Sequence, residues 1–444
     1  MFPITFSLIY QWDYLHPVNF LSSLNILRVY SLVMNFLYYI LTGTLLLVFS
    51  PLILLRALVS SSFRNQLKER MVGAHSLPKL KDTLWIHASS IGEVHLAKIF
   101  IAGLIEDGEP RPIALSTFTP TGYTLAKEES LPNVFRLPLD FPLWLNPVFD
   151  HLQPSRLVLI EAELWPSLLR QCKARNIPVT QVNGRISEKS AQNYSRLPSF
   201  FRWMTESIDR FSMRSQADSD RILRLGIGSE RVLTTGNIKF DMSSFERKED
   251  EEWKTDKTII VFGSTRPGEE GPIMEALVNI QKEFSDLIGV IAPRHMTRCQ
   301  EVESLIREFN VDYSLYSKLD GLSNWTGTIL LVDKLGKLQT FYRRATIAYV
   351  GGGFNPRFGG HNILEPAGLG KPVLFGRFMN NFEEEAKLLV QANGCIQMQT
   401  IEELSSVLNR LLKDSLECQR LSKSAEATVK TNNGALQRNI ELIR

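Results

Sequence analysis

Apolar and polar positions are arranged in two very different ways along this sequence. Between Arg28 and Arg56 no residue is charged, and Leu, Val, Tyr and Phe crowd together. At ~1.5 Å rise per residue, such a run covers a hydrocarbon core of about 30 Å. It starts too far into the chain and runs too long for a cleaved signal peptide. Pro51 is expected to end or kink the helix. Arg56, Arg64, Lys68 and Arg70 follow the run, against Arg28 just before it. That basic flank predicts that everything downstream stays in the cytoplasm. Residues 1–58 are therefore expected to form a membrane anchor that either spans the bilayer or lies in its interface.

Downstream, brief apolar runs alternate with helical stretches. Thr83–His87, Ile113–Ser116, Val134–Leu137, Leu157–Ile160 and Val179–Val182 read as strands, each leading into turn or N-cap residues. Residues 241–256 then turn polar and charge-dense, as a solvated linker would be. The alternation restarts with Thr258–Phe262, Ile288–Ala292, Thr328–Val332, Thr346–Val350 and Pro372–Phe375, and from Ile401 the tail is helical by periodicity. Alternation of this kind predicts α/β architecture, with parallel sheets covered by helices on both faces. Two Rossmann-like domains, 59–240 and 257–444, facing a cleft are expected. No low-complexity tract or short-period repeat interrupts them.

Charge and cysteine content narrow the functional classes. With 50 Lys and Arg against 47 Asp and Glu, the net charge is +3. No clustered basic face is legible, which argues against a nucleic-acid partner. Cys172, Cys299, Cys395 and Cys418 lie far apart with no CxxC, so neither a disulfide framework nor a zinc cluster is expected.

Open α/β sheets bind ligands beyond the carboxyl ends of their strands, and the strand exits here are unusual. WIHASSIGEV (85–94) runs from a strand through a Ser/Gly turn into a helix. Glu93 there has two readings: a base accepting a proton from a hydroxyl, or a helix cap in capping-box spacing with Ser90. IEAELWP (160–166) places Glu161 and Glu163 after a strand, on one face if that strand continues. Lys239, in TGNIKFD (235–241), could neutralise an anion or simply be exposed. GSTRPGEE (263–270) and APRH (292–295) are polar strand exits, and Arg294 carries a planar fork suited to phosphate or carboxylate. Richest is the glycine-laden GGGFNPRFGGHNILEP (351–366), in which a helix starting near His361 would meet a phosphate and Glu365 would accept from ribose hydroxyls. No GxxxxGK[ST] occurs, which disfavours a phosphate-loop NTPase.

Taken in order, WIHASSIGEV, IEAELWP, VNGRIS, TTGNIKFD, GSTRPGEE, APRH and GGHNILEPA resemble the Kdo transferases of Gram-negative outer-membrane assembly, from about Trp85 to Phe382. The resemblance implies a GT-B fold, a lipid A precursor (lipid IVA) as acceptor, and CMP-Kdo as donor co-substrate. It also implies inverting transfer with neither metal nor cofactor, at the inner membrane, with the catalytic domains facing the cytoplasm. Carried over by motif, Glu93 corresponds to the general base, and Glu161 and Lys239 to groups supporting the transition state. Pro293, Arg294, Asn362, Ile363, Leu364 and Glu365 correspond to nucleotide-binding segments. The family's usual Met-Gly-Glu-Leu is here Leu335-Gly-Lys-Leu338, so Lys337 replaces an acid. Leu335, Gly336 and Lys337 are kept as donor contacts. No DxD-like pair follows any expected strand. The competing readings are another GT-B transferase or UDP-sugar epimerase and, in a different class, a non-catalytic membrane-tethered scaffold.

Overall fold

The computed structural model describes residues 17–72, 77–244, 255–322, 325 and 327–444. Much of the expected linker, 245–254, lies outside these residues, as does the start of the expected anchor. The chain divides into two compact units, residues 1–235 with 437–444, and residues 236–436. The division falls a few residues ahead of the expected boundary, and the last eight residues belong with the first unit.

Unit 1 carries a seven-stranded parallel sheet: β1 (Thr83–His87), β2 (Ile113–Thr117), β3 (Phe135–Arg136), β4 (Pro154–Ile160), β5 (Val179–Gly184), β6 (Ile208–Met213) and β7 (Val232–Thr234). Their spatial order is β3-β2-β1-β4-β5-β6-β7. All five residues of β1 and all five of β2 are buried. Burial on both faces is why these strands read as continuous apolar runs rather than alternating ones. Helix starts follow from local chemistry. Ser90, Thr119, Ser187 and Ser215 accept from backbone N–H groups one turn ahead, while Pro142, Pro166 and Pro198 open other helices where no N–H is needed. Trp85, Phe149, Phe201, Trp203 and Phe211 anchor the core.

Unit 2 repeats the plan with β8 (Thr258–Thr265), β9 (Leu287–Pro293), β10 (Tyr313–Leu315), β11 (Ile329–Leu331), β12 (Ile347–Val350), β13 (Val373–Gly376) and β14 (Cys395–Met398). These are ordered β10-β11-β9-β8-β12-β13-β14, again all parallel. Two apolar clusters pack against it, one built around Phe240, Phe341 and Phe375, the other around Phe262, Tyr349 and Leu374.

Ahead of unit 1's sheet, α1 (Pro17–Val59) and α2 (Ser61–Val72) are separated by Ser60 alone. Pro51 lies inside α1 and does not end it. Its segment Leu32–Val59 is long and apolar enough, by length and composition, to cross a membrane.

Candidate functional site

In unit 1 the strand order reverses between β1 and β4, and in unit 2 between β8 and β12. Ligands of open parallel sheets bind beyond the carboxyl ends at that reversal. The chain leaving β1 is Ala88–Glu93, and that leaving β4 is Glu161–Trp165. In unit 2, the chain leaving β8 carries Arg266 and Glu269, and that leaving β12 is the glycine-rich 351–365 segment. Four of the motifs read from the sequence thus arrive at the two reversal points.

At the unit 1 reversal, helix α3 (Ile91–Glu106) begins at Ser90. Glu93, only 8% exposed, accepts from the Ser89 backbone N–H at 2.7 Å and from the Ser90 hydroxyl at 2.9 Å. The two sequence readings of Glu93 are therefore compatible: it closes the helix start, and it is a buried carboxylate at a strand exit. Burial, then the nearby Glu163 charge, pushes its carboxyl up to about 7, against the pull of the Ser89 and Ser90 hydrogen bonds. Glu163 is driven the other way. Burial would raise it, but His87, Ser89 and Trp165 together outweigh burial and hold it below the usual carboxylate range. Its Oε2 accepts from Ser89 Oγ at 2.5 Å and Trp165 Nε1 at 2.8 Å, with His87 Nε2 at 3.6 Å. His87 is itself pinned at Nδ1, 2.8 Å from Ser116 Oγ. Neighbouring carboxyls with pKa values displaced in opposite directions are the pattern of an acid–base site: Glu163 stays ionised, and Glu93 can take up and give back a proton near neutrality.

Glu161 corrects one expectation. β4 ends at Ile160, and Glu161 adopts φ +59°, so the strand does not carry Glu161 and Glu163 onto a common face. A non-glycine residue in this left-handed region is strained, as residues at functional sites often are. The turn is held by Gln181, whose side-chain amide donates to the Glu161 carbonyl, and by Arg185 Nε, 2.9 Å from Glu161 Oε2.

In unit 2, Arg266 is the hub. Its Nε donates to His361 Nε2 at 3.0 Å and its guanidinium reaches His295 Nε2 at 2.7 Å, while its plane lies 4.7 Å from the Phe358 ring centre. Burial, then the Arg294 and Arg266 charges, drives His361 down to about 3, so the ring is a neutral acceptor at any working pH. Below the glycines, Glu269 accepts from the backbone N–H groups of Arg266 at 2.9 Å and Gly352 at 2.8 Å. These bonds tie the β8 and β12 exits together. Burial raises the Glu269 carboxyl to about 7 in spite of them. Space is tight: a Cβ on Gly351 would lie 2.5 Å from the Ser264 carbonyl oxygen.

The remaining expected site residues are distributed as follows. Pro293 ends β9, and Arg294 is exposed just beyond it, its backbone N–H on the Thr265 carbonyl. Asn362 Nδ2 donates to Glu365 Oε1 at 3.0 Å. Ile363 and Leu364 are fully buried, main chain included. The helix begins at Leu364, three residues later than expected, and is five residues long. Leu335, Gly336 and Lys337 form the turn after β11. Leu335 is 81% exposed, Gly336 takes φ +77°, and Lys337 lies with Lys334 over the Tyr316 ring. Lys239 belongs to unit 2, where its Nζ donates to the Asn381 carbonyl at 2.8 Å and approaches Glu385 at 3.5 Å. Glu93 and Glu161 share unit 1. Outside the expected set, His87, Ser89 and Arg266 are as well placed as any residue within it. Of these, only Arg266 stood out by type, as the one cation of its strand-exit motif.

Three comparisons bear on these features. The family model described as 3-deoxy-D-manno-octulosonic-acid transferase (kdotransferase) matches residues 65–242. A 3-deoxy-D-manno-octulosonic acid transferase of Haemophilus influenzae is 32% identical over 416 residues, covering 90% of this chain and 97% of that protein. A bifunctional glycosyltransferase/methyltransferase of Fusobacterium nucleatum is 33% identical over 378 residues, covering 81% of this chain. The match spans only 58% of that longer relative. Among solved structures, a UDP-N-acetylglucosamine 2-epimerase superposes with a TM-score of 0.53 at 16% identity, covering 83% of this chain and 96% of that one. That last likeness establishes a GT-B-like fold.

Proposed function

The chain belongs to the 3-deoxy-D-manno-octulosonic acid transferase family and is a glycosyltransferase, and we propose that it moves Kdo from CMP-Kdo onto a lipid A precursor at a membrane surface, with inversion and without a metal ion. The observation that carries this reading is Glu93, a buried carboxyl raised to about 7 beside an ionised Glu163 at the strand reversal of unit 1. A sugar hydroxyl is too weak an acid to ionise by itself at neutral pH. As its oxygen bonds to the anomeric carbon of the donor, Glu93 takes the proton. The bond from that carbon to the phosphate oxygen breaks, and CMP departs with the electron pair. Positive charge developing on the sugar is favoured by the Glu163 carboxylate. Within unit 2, Arg294 and Arg266 are charge-assisted donors suited to a phosphate, in the role a divalent ion would otherwise take. Addition of a chelator is expected to leave the rate unchanged.

The donor assignment is tested by calorimetry on the full chain. CMP is expected to bind and UDP to bind far more weakly. Arg294→Ala is expected to weaken CMP binding by about 1.5–3 kcal/mol, the range for a charge-assisted hydrogen bond. Arg266→Ala should cost a similar amount, since it also releases His361. Unchanged CMP affinity in both variants would move the nucleotide elsewhere.

A further inference from the structure

We infer that Leu32–Val59 is a monotopic membrane element, embedded in one leaflet of an anionic bilayer on the side of the catalytic units, and does not cross it. The inference deepens the membrane attachment proposed above, and it rests on where this segment is tied down. Near its start, Asn35 Oδ1 accepts from Trp203 Nε1 at 3.1 Å, Tyr38 donates to Asp140 at 3.1 Å, and the Tyr39 ring meets Phe141. Asp140 is a firm attachment point, because it also accepts from the backbone N–H groups of Ser167 and Leu168 at 2.9 Å each. Beyond the far end, Arg70 donates to the Phe118 carbonyl at 2.6 Å, and Glu69 pairs with Arg136 at 3.1 Å. All of these partners lie in unit 1.

Topology follows from length. From Ile40 to Val59 the helix rises about 30 Å, enough to cross. Yet α2 has 12 residues and a length of about 18 Å. It cannot return through a hydrocarbon core of about 30 Å to place Arg70 on Phe118.

The distribution of exposure fits a helix lying along a leaflet. At 3.6 residues per turn, Asn35, Tyr39, Leu46, Ser50, Ile53 and Ala57 fall on one side, and all are half-buried. Leu47, Val48, Leu52, Leu54, Leu58 and Val59 face away and are each more than 60% exposed. An uninterrupted apolar face of this kind requires an apolar medium. Charge selects an anionic one. Between residues 17 and 72 the sequence holds Arg28, Arg56, Arg64, Lys68 and Arg70 against a single acid, Glu69, and that acid is already paired. Arg56, Arg64 and Lys68 are exposed, and their long stems let the charged ends reach lipid phosphates.

The returning limb also touches the chemistry. Arg70 lies 3.9 Å over the Phe118 ring, Phe118 packs at 4.6 Å against Trp165, and Trp165 holds Glu163. A membrane element so connected presents a lipid acceptor from its own leaflet to unit 1's carboxylates.

The test uses the full chain bound to sealed vesicles of phosphatidylglycerol and phosphatidylethanolamine. Tyr30→Cys and Ser61→Cys, exposed positions flanking the segment, are treated with a membrane-impermeant maleimide in a Cys418→Ser background, which removes the half-buried thiol and leaves Cys172, Cys299 and Cys395 buried. Both variants are expected to label from the face that exposes the catalytic units. Labelling of one of them only after detergent would overturn the inference. Co-sedimentation supplies the second arm: the wild type is expected to pellet with the vesicles, and Leu47→Asp with Leu55→Asp to bind roughly tenfold or more weakly, with CMP affinity unchanged. A wild type that stays in the supernatant would refute membrane insertion itself while leaving the donor chemistry, read by CMP binding, untouched.

Discussion

Glu93→Gln is expected to lower turnover by about 10²–10⁴-fold, the usual contribution of a positioned base, while CMP affinity stays near that of the wild type. The amide keeps the size of the carboxyl: its oxygen can still accept from the Ser89 N–H, and its NH2 can donate to the Ser90 hydroxyl oxygen in place of the bond Glu93 accepts there. A helix cap alone would therefore survive the change with its activity. Stability against pH separates the roles further. Burial raises the folded-state carboxyl to about 7 from an ordinary value near 4.5, so between those values the folded chain holds a proton that the unfolded chain has lost. Stability from this group is thus present below about pH 4.5 and declines as pH rises towards 7. Glu93→Gln has no proton to lose. Its melting temperature relative to wild type should rise between pH 5 and pH 8, just where its rate is most depressed. The wild-type rate should climb with pH through about 7, and in the variant that limb should vanish. Retained activity with an intact fold would make Glu93 a cap and direct the search for the base to Glu161 or Glu163.

Gly351→Ala is expected to weaken donor binding more than about tenfold through a single methyl group. The new Cβ would lie 2.5 Å from the Ser264 carbonyl oxygen, 2.7 Å from Glu269 Oε2 and 2.8 Å from Thr265 Cα. Two of those neighbours are backbone atoms of the β8 exit, which cannot turn aside as a side chain can. Relief requires the β8 and β12 exits to part, and their separation breaks the Glu269 bonds that bind Arg266 to Gly352. Overpacking of this kind costs about 1–3 kcal/mol. The larger consequence is displacement of Arg266 and His361, so CMP affinity measured by calorimetry should fall more than about tenfold. An Ala variant that binds CMP normally would show that the two exits need not be held together.

How far the fold could be read from the sequence depended on burial. The ten strands expected from apolar runs are all present: nine lie inside their sheets, covered on both faces, and the edge strand β3 is buried at both its residues. Those missed lie at or towards the sheet edges. β6 carries the exposed Asp209 and Arg210 just after its buried first residue, β7 is short and partly exposed, β10 is half-buried throughout, and β14 has two half-buried residues among its four. Short, partly solvated strands carry too little apolar signal to separate from loops. The return of residues 437–444 to unit 1 is equally invisible locally, since it depends on partners such as Asn439 with Ser212, far apart in sequence.

The candidate site was legible as motifs rather than as geometry. Glu93 and the glycine-rich exit were found because strand-to-turn-to-helix transitions leave a composition signature. That Glu161 breaks from its strand at φ +59° leaves none, because the residue type gives no sign of a left-handed turn. His87 was passed over as an interior strand residue, and only the fold brings its ring to Glu163. Helix α1 shows the same limit: its composition permits crossing a membrane, while contacts made with residues more than a hundred positions away bear on whether it does.

The central claim is transfer of Kdo from CMP-Kdo to a lipid A precursor. Its most direct test is mass analysis of the lipid after incubation of the full chain with CMP-Kdo and lipid IVA. The expected product is the lipid increased by a whole number of Kdo residues, with one CMP released for each. CMP release with no gain in lipid mass, or sugar transfer from a UDP donor in its place, would contradict it.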